Sequence, residues 1–351
     1  MSVGSVDKPL RVACIGAGYF SRFHYEAWSR MPDVEVVALC NRHPDAAQEI
    51  ANEYGITQLF SELDTMLEAV KPDLVDIITP PITHADAIRS VARYGINAVC
   101  QKPFGQNLEQ ARELEKEIRN AGITVNIHEN FRFMPWFRHI RAVVDDGVLG
   151  EILNARFALR PGDGQGADAY LARQPYFQTM ERFLIHETAV HLVDTFRFLF
   201  GDPLSVYASL KRCNPVIAGE DAGTLLFEYA NGLSAHFDGN RLLDHSADNH
   251  RRTMGECWIE GTQGTLRLDG SGRVWLRHFG TIEEIELNYD WHDQHFGGDC
   301  VYLLNRHVAD HYLYGSILEN RVHDYLGVLK IEDAIYRSHA EGRRIDLELD
   351  Q

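Results

Sequence analysis

The feature that most constrains the fold is an alternation of short apolar runs and helical patterns through the first 130 residues. The runs, rich in Val, Ile and Ala, are RVACIGAG, VEVVALCN, LVDIITP, NAVCQKP and ITVNIHEN. Continuous apolar runs of this length indicate strands that are buried on both faces. The segments between them carry apolar residues three and four positions apart, as amphipathic helices do. Strand and helix in alternation predict an α/β Rossmann fold, with βαβ units and a parallel, doubly wound sheet.

The pattern changes after the segment PWFRHIRAVVDDGVLG. Alternating, strand-like sequence follows, punctuated by turn pairs such as Asn231-Gly232, as in antiparallel hairpins. One long helix, ERFLIHETAVHLVDTFRFLFG, interrupts this part, and further helices close the chain from about residue 298. We therefore predict a Rossmann dinucleotide-binding domain over 1–130. A C-terminal α+β domain with a mostly antiparallel sheet is predicted over 131–351, for substrate binding and oligomerisation, and its last helix is a candidate to return to the Rossmann domain.

Length and charge narrow the class of protein. At 351 residues the chain is too long for a single hydrophobic core, so two domains are expected. A net charge of −17 offers no surface for a polyanion, which argues against nucleic acid as a partner. No apolar run is long enough to span a bilayer, and the first ten residues do not resemble a signal peptide. Six cysteines without a CxxC pair favour a reduced, cytoplasmic protein.

The stretch GAGYFS (16–21) follows the first predicted strand and opens a helix. Gly16 allows the tight turn, and Gly18 lets a pyrophosphate approach the backbone at the helix N-terminus. The usual third glycine is Ser21. The second strand ends in Asn41 and Arg42 rather than in an acidic residue. Asn41 can bind the ribose, while Arg42 can stack on adenine or bind a 2′-phosphate, so NAD is favoured and NADP is not excluded.

Two further strand ends carry polar residues, TPPITH (79–84) and QKPFG (101–105). Open α/β sheets bind ligands beyond the carboxyl ends of their strands. Lys102, between a buried strand and Pro103, is therefore expected to face the ligand; the alternative is a lysine that merely reaches the surface. The Gly-rich loop 161–180 is either a mobile lid or a surface insertion.

The stretch FLIHETAVHLVD holds His186, Glu187, His191 and Asp194. A metalloprotease helix needs two histidines four residues apart, whereas these are five apart and diverge by roughly 140° on an α-helix. Glu187 and His191 differ by only about 40°, and Asp194 is a neighbour of His191 on the next turn. The spacing favours a proton-relay histidine between two carboxylates and no metal. A metal site and a structural polar stripe are the alternatives.

Taken together, the motifs resemble those of the Gfo/Idh/MocA oxidoreductases. The resemblance rests on GAGYFS, TPPITH, QKPFG in place of the commoner EKP, HENFRFMPWFRHI, the helix with His191, and the tail IYRSHAEGRRIDL. It implies an open-faced sheet in the second domain and a homodimer or homotetramer assembled through that sheet. The helix IHETAVHLVDTFRFLFG and the segment FGGDCVYLLNRHV are most similar to the subgroup that contains D-apiose dehydrogenases.

The resemblance also implies roles for individual residues. Lys102 corresponds to the lysine beside the reacting carbon, Pro103 to a residue that is often cis, and His191 to the histidine that relays the hydroxyl proton. Glu187 stands where the family commonly has an aspartate. The glycine run that often precedes this helix is replaced by ERFLI, so the pocket wall is expected to differ.

The predicted function is that of an NAD-dependent sugar dehydrogenase that oxidises the anomeric carbon of an aldose such as D-apiose to a lactone. His191 would accept the hydroxyl proton, Lys102 would stabilise the developing alkoxide, and the hydride would pass to nicotinamide. The alternatives are oxidation of a ring hydroxyl of an inositol or other polyol, and a non-catalytic nucleotide sensor. The predicted substrate contacts are Lys102, Glu187, His191, His186, Arg160, Arg132 and Tyr176. The predicted cofactor contacts are Gly16, Gly18, Tyr19, Phe20, Asn41, Arg42, Thr79, Pro80, His84, Gln101, Lys102 and Asn130.

Overall fold

The computed structural model describes residues 8–348. The chain forms two compact units: one ends at Asn130 and includes Val301–Leu326, and the other contains Phe131–Cys300 and resumes at Gly327. The amino-terminal residues 1–7, for which the sequence predicts no signal peptide, lie outside the described part. Among the described helices, none combines the length and the apolar character needed to cross a membrane.

The first unit contains a six-stranded sheet in the order β3-β2-β1-β4-β5-β6, with every neighbouring pair parallel. Its strands are β1 (Leu10–Ile15), β2 (Val34–Cys40), β3 (Leu59–Phe60), β4 (Leu74–Ile77), β5 (Asn97–Gln101) and β6 (Val125–His128). Its first five helices are α1 (Ser21–Ser29), α2 (Pro44–Tyr54), α3 (Leu63–Val70), α4 (His84–Arg93) and α5 (Leu108–Ala121). The parallel sheet confirms the predicted Rossmann fold, and the strand order reverses beside β1, where such sheets bind ligands.

Burial explains why most strands of this sheet could be predicted from the sequence. Every residue of β4 and β6 is buried, so neither strand has a solvent-facing side that would give its sequence a period of two. The two-residue strand β3 at the sheet edge and the short helix α3 were not predicted. Elements this short contain too few residues to display a period of two or 3.6.

The second unit contains a nine-stranded sheet in the order β14-β13-β12-β11-β7-β10-β9-β8-β15. Its strands are β7 (Ile152–Leu159), β8 (Ser205–Lys211), β9 (Ala222–Glu228), β10 (Ser234–Asn240), β11 (Gly255–Gly261), β12 (Gly264–Leu268), β13 (Val274–His278), β14 (Ile285–Leu287) and β15 (Ile345–Asp346). All neighbouring pairs are antiparallel except β7 with β10. Buried and less buried residues alternate strictly along β10 and β12, as expected for a sheet that packs on one face only.

The remaining helices are α6 (Pro135–Asp145), α7 (Val190–Phe200), α8 (Cys300–Tyr314) and α9 (Val322–Glu341). Most of α8 and the first residues of α9 belong to the first unit, and α9 continues in the second unit from Gly327. The stretch of the C-terminal half that joins the Rossmann unit is therefore Val301–Leu326. Within the first unit, α8 is held by an ion pair between Arg306 and Asp33 with an N–O distance of 2.6 Å.

The long helix predicted around FLIHETAVHLVD is α-helical only from Val190 onward. Residues Leu184–Ala189 form a π-helical turn, and the Val190 N–H donates to the carbonyl of Ile185, five residues back. A rotation of 100° per residue therefore does not apply between His186 and Ala189, and the α-helical angles predicted for His186 and Glu187 relative to His191 are wrong. Single π-turns within helices recur at functional sites.

The loop 161–180 is a packed part of the second unit. Ala169, Tyr170 and Phe177 form a buried hydrophobic cluster with Phe183 and Ile217. The loop backbone is held as well, because the Asn214 side-chain amide donates to the carbonyls of Gly164 and Gly166 at 2.8 and 2.9 Å.

Arg241 anchors this loop through its buried guanidinium. It donates to both carboxylate oxygens of Asp163, to the Tyr170 hydroxyl at 2.8 Å and to Thr188 Oγ1 at 2.6 Å. Thr188 lies in the π-turn, so one side chain joins the loop to the segment that carries His186 and Glu187. The sequence left two interpretations of this loop open, a mobile lid and a surface insertion. A mobile lid does not fit these contacts.

We expect Arg241→Met to release the loop from the π-turn. The substitution keeps the length of the side chain but leaves Asp163 and Tyr170 without their shared donor, which costs about 1–3 kcal/mol of unfolding free energy. Hydrogen exchange across residues 163–180 should accelerate. The exposed Arg212→Met is the matched control, and unchanged exchange in Arg241→Met would contradict the anchoring role.

Candidate functional site

The predicted cofactor residues of the first unit lie together at one edge of the parallel sheet. Each follows the carboxyl end of a strand, and in a parallel sheet these ends share one edge. Those after β1 and β2 are Gly16, Gly18, Tyr19, Phe20, Asn41 and Arg42; those at or after β4, β5 and β6 are Thr79, Pro80, His84, Gln101, Lys102 and Asn130. The Lys102–Pro103 peptide bond is cis.

The turn between β1 and α1 has the shape that a bound pyrophosphate requires. Gly16 has φ of +111°, and a Cβ there would lie 2.7 Å from the Ile78 carbonyl oxygen, so only glycine fits. Gly18 differs, because a Cβ at this position would meet no other described atom within 4 Å. Ser21, in place of the third glycine, donates its hydroxyl to the Gly18 carbonyl at 2.7 Å. The backbone beside Gly18 thus remains open at the start of a nine-residue helix.

The end of β2 carries no carboxylate. The side-chain amide of Asn41 donates to the His43 carbonyl at 2.8 Å, which orients the residue in the turn, and Arg42 is exposed. A carboxylate at this place would repel a 2′-phosphate, whereas an amide and a guanidinium do not. The local chemistry therefore does not by itself reject NADP.

His84 ties two strand ends to each other. Its ring is fully buried, with Nε2 2.8 Å from the Thr79 carbonyl oxygen and Nδ1 3.0 Å from that of Pro103. Burial lowers the pKa of this histidine, against the smaller opposite effect of the two carbonyl groups. A neutral imidazole carries one N–H, so His84 donates to one of these two carbonyls and packs against the other, beneath the turns after β4 and β5.

The π-turn of the second unit is held at its start by the Glu220 carboxylate. One carboxylate oxygen accepts the backbone N–H groups of Phe183 and Ile185, both at 3.1 Å, and the Tyr336 hydroxyl at 2.7 Å. The first N–H groups of a helix have no partner inside the helix, so an acceptor must come from elsewhere. Here it comes from a loop more than thirty residues further along the chain.

His186 and His191 face different partners. His186 Nδ1 lies 2.7 Å from Glu332 Oε1, a carboxylate on α9 that is almost fully buried. The His191 ring stacks on Phe131 with a centroid distance of 4.1 Å and an interplanar angle of 8°. A stacked imidazole cannot rotate freely, so the ring plane of His191 is fixed by its own unit. A carboxylate partner likewise fixes the His186 ring.

Glu187 lies near Tyr176 and Arg241. Burial alone would lower the pKa of the Arg241 guanidinium, but Asp163, Tyr170 and Glu187 raise it above its ordinary value. Tyr176 is 55% exposed as a residue, yet desolvation of its hydroxyl raises its pKa, and the Glu187 carboxylate raises it further. The predicted substrate contacts Glu187 and Tyr176 therefore belong to one cluster of the second unit.

Two predicted substrate arginines are engaged by carboxylates of their own unit. Arg132 donates to both oxygens of Asp194 at 2.6 and 2.7 Å, and this pair is largely buried. Arg160 pairs with Asp238 at 2.5 Å and also donates to the carbonyls of Leu159 and Asp238. The Asp194 carboxylate, expected beside His191, thus anchors α7 to the segment that contains Phe131 and Arg132.

The residues that hold the π-turn of the second unit were not singled out from the sequence. Glu220, Arg241 and Glu332 contact the π-turn and its histidine from positions 30 to 150 residues away in the chain, roughly. The acidic pair Glu220-Asp221 beside an apolar strand is a weak signal, because such pairs are also common in exposed turns.

We expect opposite outcomes when a methyl group is added at the two glycines of the β1–α1 turn. Gly16→Ala should lower the melting temperature, since its Cβ collides with the Ile78 carbonyl at a positive φ. Gly18→Ala should leave the melting temperature unchanged and weaken NADH binding at least about tenfold, because the methyl group occupies the open approach to the backbone. Calorimetry and NADH fluorescence titration measure both. Tight NADH binding by a folded Gly18→Ala protein would contradict the proposed pyrophosphate position.

Known proteins are similar to this chain in both of its domains. Residues 10–128 match the family model described as oxidoreductase family, NAD-binding Rossmann fold, and residues 137–267 match the GFO/IDH/MocA C-terminal domain. The chain is 30% identical over 345 residues to a D-apiose dehydrogenase of Paraburkholderia graminis, covering 97% of this chain and 90% of that protein. A D-apiose dehydrogenase of Rhizobium rhizogenes is 29% identical over 343 residues, covering 96% and 97%.

A solved structure is similar over almost the whole chain. It is an oxidoreductase from Agrobacterium radiobacter in complex with NAD+, L-tartaric acid and magnesium, with a TM-score of 0.87 and 28% identity over 97% of this chain and 98% of that one. The resemblance seen in the sequence motifs is therefore confirmed. The chain is an oxidoreductase of the Gfo/Idh/MocA family, with an NAD-binding Rossmann domain followed by the family's C-terminal domain.

Proposed function

We propose that the protein oxidises the anomeric carbon of an aldose, D-apiose or a closely related sugar, to a lactone with NAD as the oxidant. The observation that carries this proposal is the similarity to two D-apiose dehydrogenases over at least 96% of the chain. Similarity that covers both domains includes the residues expected to shape the substrate pocket. At about 30% identity, however, a few pocket residues decide the sugar, so the substrate itself is the part to test.

The first unit would hold NAD along the edge of its sheet. The open backbone beside Gly18 suits the pyrophosphate, and Asn41 and Arg42 suit the adenosine ribose and the adenine. The turns after β4 and β5 would flank the nicotinamide. Once bound, NAD supplies the hydride acceptor of the reaction.

The proton chemistry would rest on three side chains, His191, Lys102 and Glu187. We propose that His191 accepts the hydroxyl proton of the sugar as general base, with its ring plane set by Phe131. The Lys102 ammonium would stabilise the negative charge that develops on the same oxygen. Glu187 would accept hydrogen bonds from sugar hydroxyls and help to orient His191, with Tyr176 and His186 as further hydroxyl contacts.

Two other functions are the alternatives, oxidation of a polyol and nucleotide sensing without catalysis. Oxidation of a ring hydroxyl of an inositol or another polyol would use the same lysine and histidine, so only the substrate distinguishes it. A non-catalytic nucleotide sensor would need the turn at Gly18 but neither Lys102 nor His191. The presence of both residues favours an enzyme.

We also propose a homodimer or homotetramer assembled through the open face of the nine-stranded sheet. Tyr207 is 43% exposed and pairs with Leu226 across β8 and β9, and both lie on the face opposite the buried Ala208 and Leu225. Apolar side chains on this open face are ones that a second copy could cover. A reduced, cytoplasmic location is supported by the cysteines, all six of which are free.

A panel of aldoses and polyols against NAD and NADP, followed by nicotinamide absorbance, tests the proposal. We expect turnover with NAD on D-apiose or a similar aldose and identification of a lactone as the first product. A ketose product from a polyol would establish the alternative chemistry. The absence of turnover on every sugar, with NADH binding intact, would favour the sensor.

We expect Lys102→Ala and His191→Ala to lower kcat by about 10²–10⁴-fold, the usual contribution of a positioned acid–base group, while NADH still binds. His191→Gln, which retains a polar planar group but cannot act as base, serves as the matched variant. Near-normal turnover in a folded Lys102→Ala or His191→Gln protein would refute the assigned role of that residue. Unfolding of His191→Ala together with an active His191→Gln would indicate a structural histidine.

A further inference from the structure

A chain of buried polar side chains runs beneath the carboxyl ends of the central strands in the first unit. It begins at Asp76 in the middle of β4 and passes through His24 on α1 and Gln101 at the end of β5. It continues through His128 at the end of β6 and finishes at Asn305 on α8. The successive distances are 2.8 Å (Asp76 Oδ2 to His24 Nδ1), 2.8 Å (His24 Nε2 to Gln101 Nε2), 3.1 Å (Gln101 Nε2 to His128 Nδ1) and 3.0 Å (His128 Nε2 to Asn305 Oδ1).

This network lies in the interior of the unit. His24, Asp76 and Asn305 have no exposed surface, and His128 is 1% exposed. The same oxygen of Asp76 also accepts the indole N–H of Trp28 at 2.7 Å. Each hydrogen bond in the network has to join a donor to an acceptor, so the bonds can be assigned directions.

The directions of these bonds follow from the one group that can only donate. A carboxamide nitrogen carries two hydrogens and accepts none, and Gln101 Nε2 faces a ring nitrogen on either side. His24 Nε2 and His128 Nδ1 must therefore both be acceptors. The proton of His24 is then on Nδ1, where it donates to Asp76, and the proton of His128 is on Nε2, where it donates to Asn305. Both imidazoles are neutral, in opposite tautomers.

We propose that Gln101 is a positioning residue for Lys102, with its side-chain amide held between two neutral imidazoles so that the end of β5 presents the lysine in one orientation. Gln101 is the residue before Lys102, and its side chain points into the unit, so its two hydrogen bonds fix the backbone from which Lys102 departs. The inference rests on the catalytic role proposed above for Lys102.

The neighbouring charges explain why an amide, rather than a carboxylate, suits this place. Burial, followed by the charge of Asp76, raises the pKa of the Cys14 and Cys100 thiols, so they remain neutral beside it. Asp76 Oδ2 is the acceptor that His24 and Trp28 share in this network. A second carboxylate at position 101 would set acceptors against the lone pairs of His24 and His128. Relief would require a proton on His24, which would become an imidazolium between Asp76 and the new carboxylate.

The test compares Gln101→Glu with Gln58→Glu, which adds the same charge at an exposed position of the same unit. Nitrogen NMR of protein labelled with ¹⁵N-histidine reports the tautomer of each ring, with His24→Gln and His128→Gln used for assignment. We expect Nδ1–H on His24 and Nε2–H on His128 in the wild type and in Gln58→Glu. In Gln101→Glu we expect His24 to be doubly protonated.

Kinetics on the sugar identified by the panel provide the second readout. For Gln101→Glu we expect kcat to fall by about 10- to 100-fold, a loss of the size that a catalytic group displaced by about an ångström can produce. Adding Asp76→Asn returns the site to one carboxylate and should restore part of kcat. Should Gln101→Glu fail to fold, Gln101→Met removes both donors without adding charge and should also lower kcat.

Each part of the inference can fail separately. Other tautomers in the wild type would overturn the bond directions, whatever the enzyme acts on. Full kcat in Gln101→Glu or Gln101→Met would overturn the positioning role. A Gln101→Glu/Asp76→Asn double variant slower than Gln101→Glu would contradict the argument that a second carboxylate causes the loss. Failure of the proposed function looks different: the wild type would turn over no sugar while the NMR result stood unchanged.

Discussion

A buried hydrogen-bonding group needs a partner, and each of the two units holds its predicted site residues through this constraint. In the second unit, the N–H groups of Phe183 and Ile185 at the start of the π-turn take the Glu220 carboxylate as acceptor. In the first unit, Gln101 satisfies two histidine rings at once. Loss of either partner would leave orphaned polar groups beneath the residues expected to do chemistry. The same hydrogen bonds therefore stabilise each unit and position its predicted site residues.

The two units use different means to hold their functional side chains. The first uses the regularity of a parallel sheet: five strand ends lie along one edge, and His84 and Gln101 tie adjacent turns from below. The second uses ion pairs and stacking, with Arg132 on Asp194, Glu332 on His186 and Phe131 on His191. Sheet edges are positioned by backbone hydrogen bonds and so depend little on side-chain identity. The π-turn is not part of a sheet, so its position depends on specific side-chain partners.

The Rossmann unit was largely predictable because its strands are mostly buried, so that β1, β2, β4, β5 and β6 lie in short runs rich in apolar residues. The strands of the second sheet were predictable because one face packs, which produces the alternation visible in β10 and β12. The π-turn was not predictable. FLIHETAVH has ordinary helical spacing, and its departure from α-geometry accompanies a carboxylate located in a distant loop. The packing of loop 161–180 was not predictable from its own sequence either. The residue that anchors the loop, Arg241, lies in a different part of the chain.

The sequence by itself determined the family. It also predicted the nucleotide-binding turn at Gly16 and Gly18 and the catalytic roles proposed for Lys102 and His191. These properties are encoded in local patterns and short motifs, where a turn or a strand end restricts which residue types can stand there. Only the tertiary structure decided the partners of those residues: His186 with Glu332, Arg132 with Asp194, and Gln101 between His24 and His128. Partnerships of this kind join positions up to about 150 residues apart, and no local pattern records which polar group will meet another once both are buried.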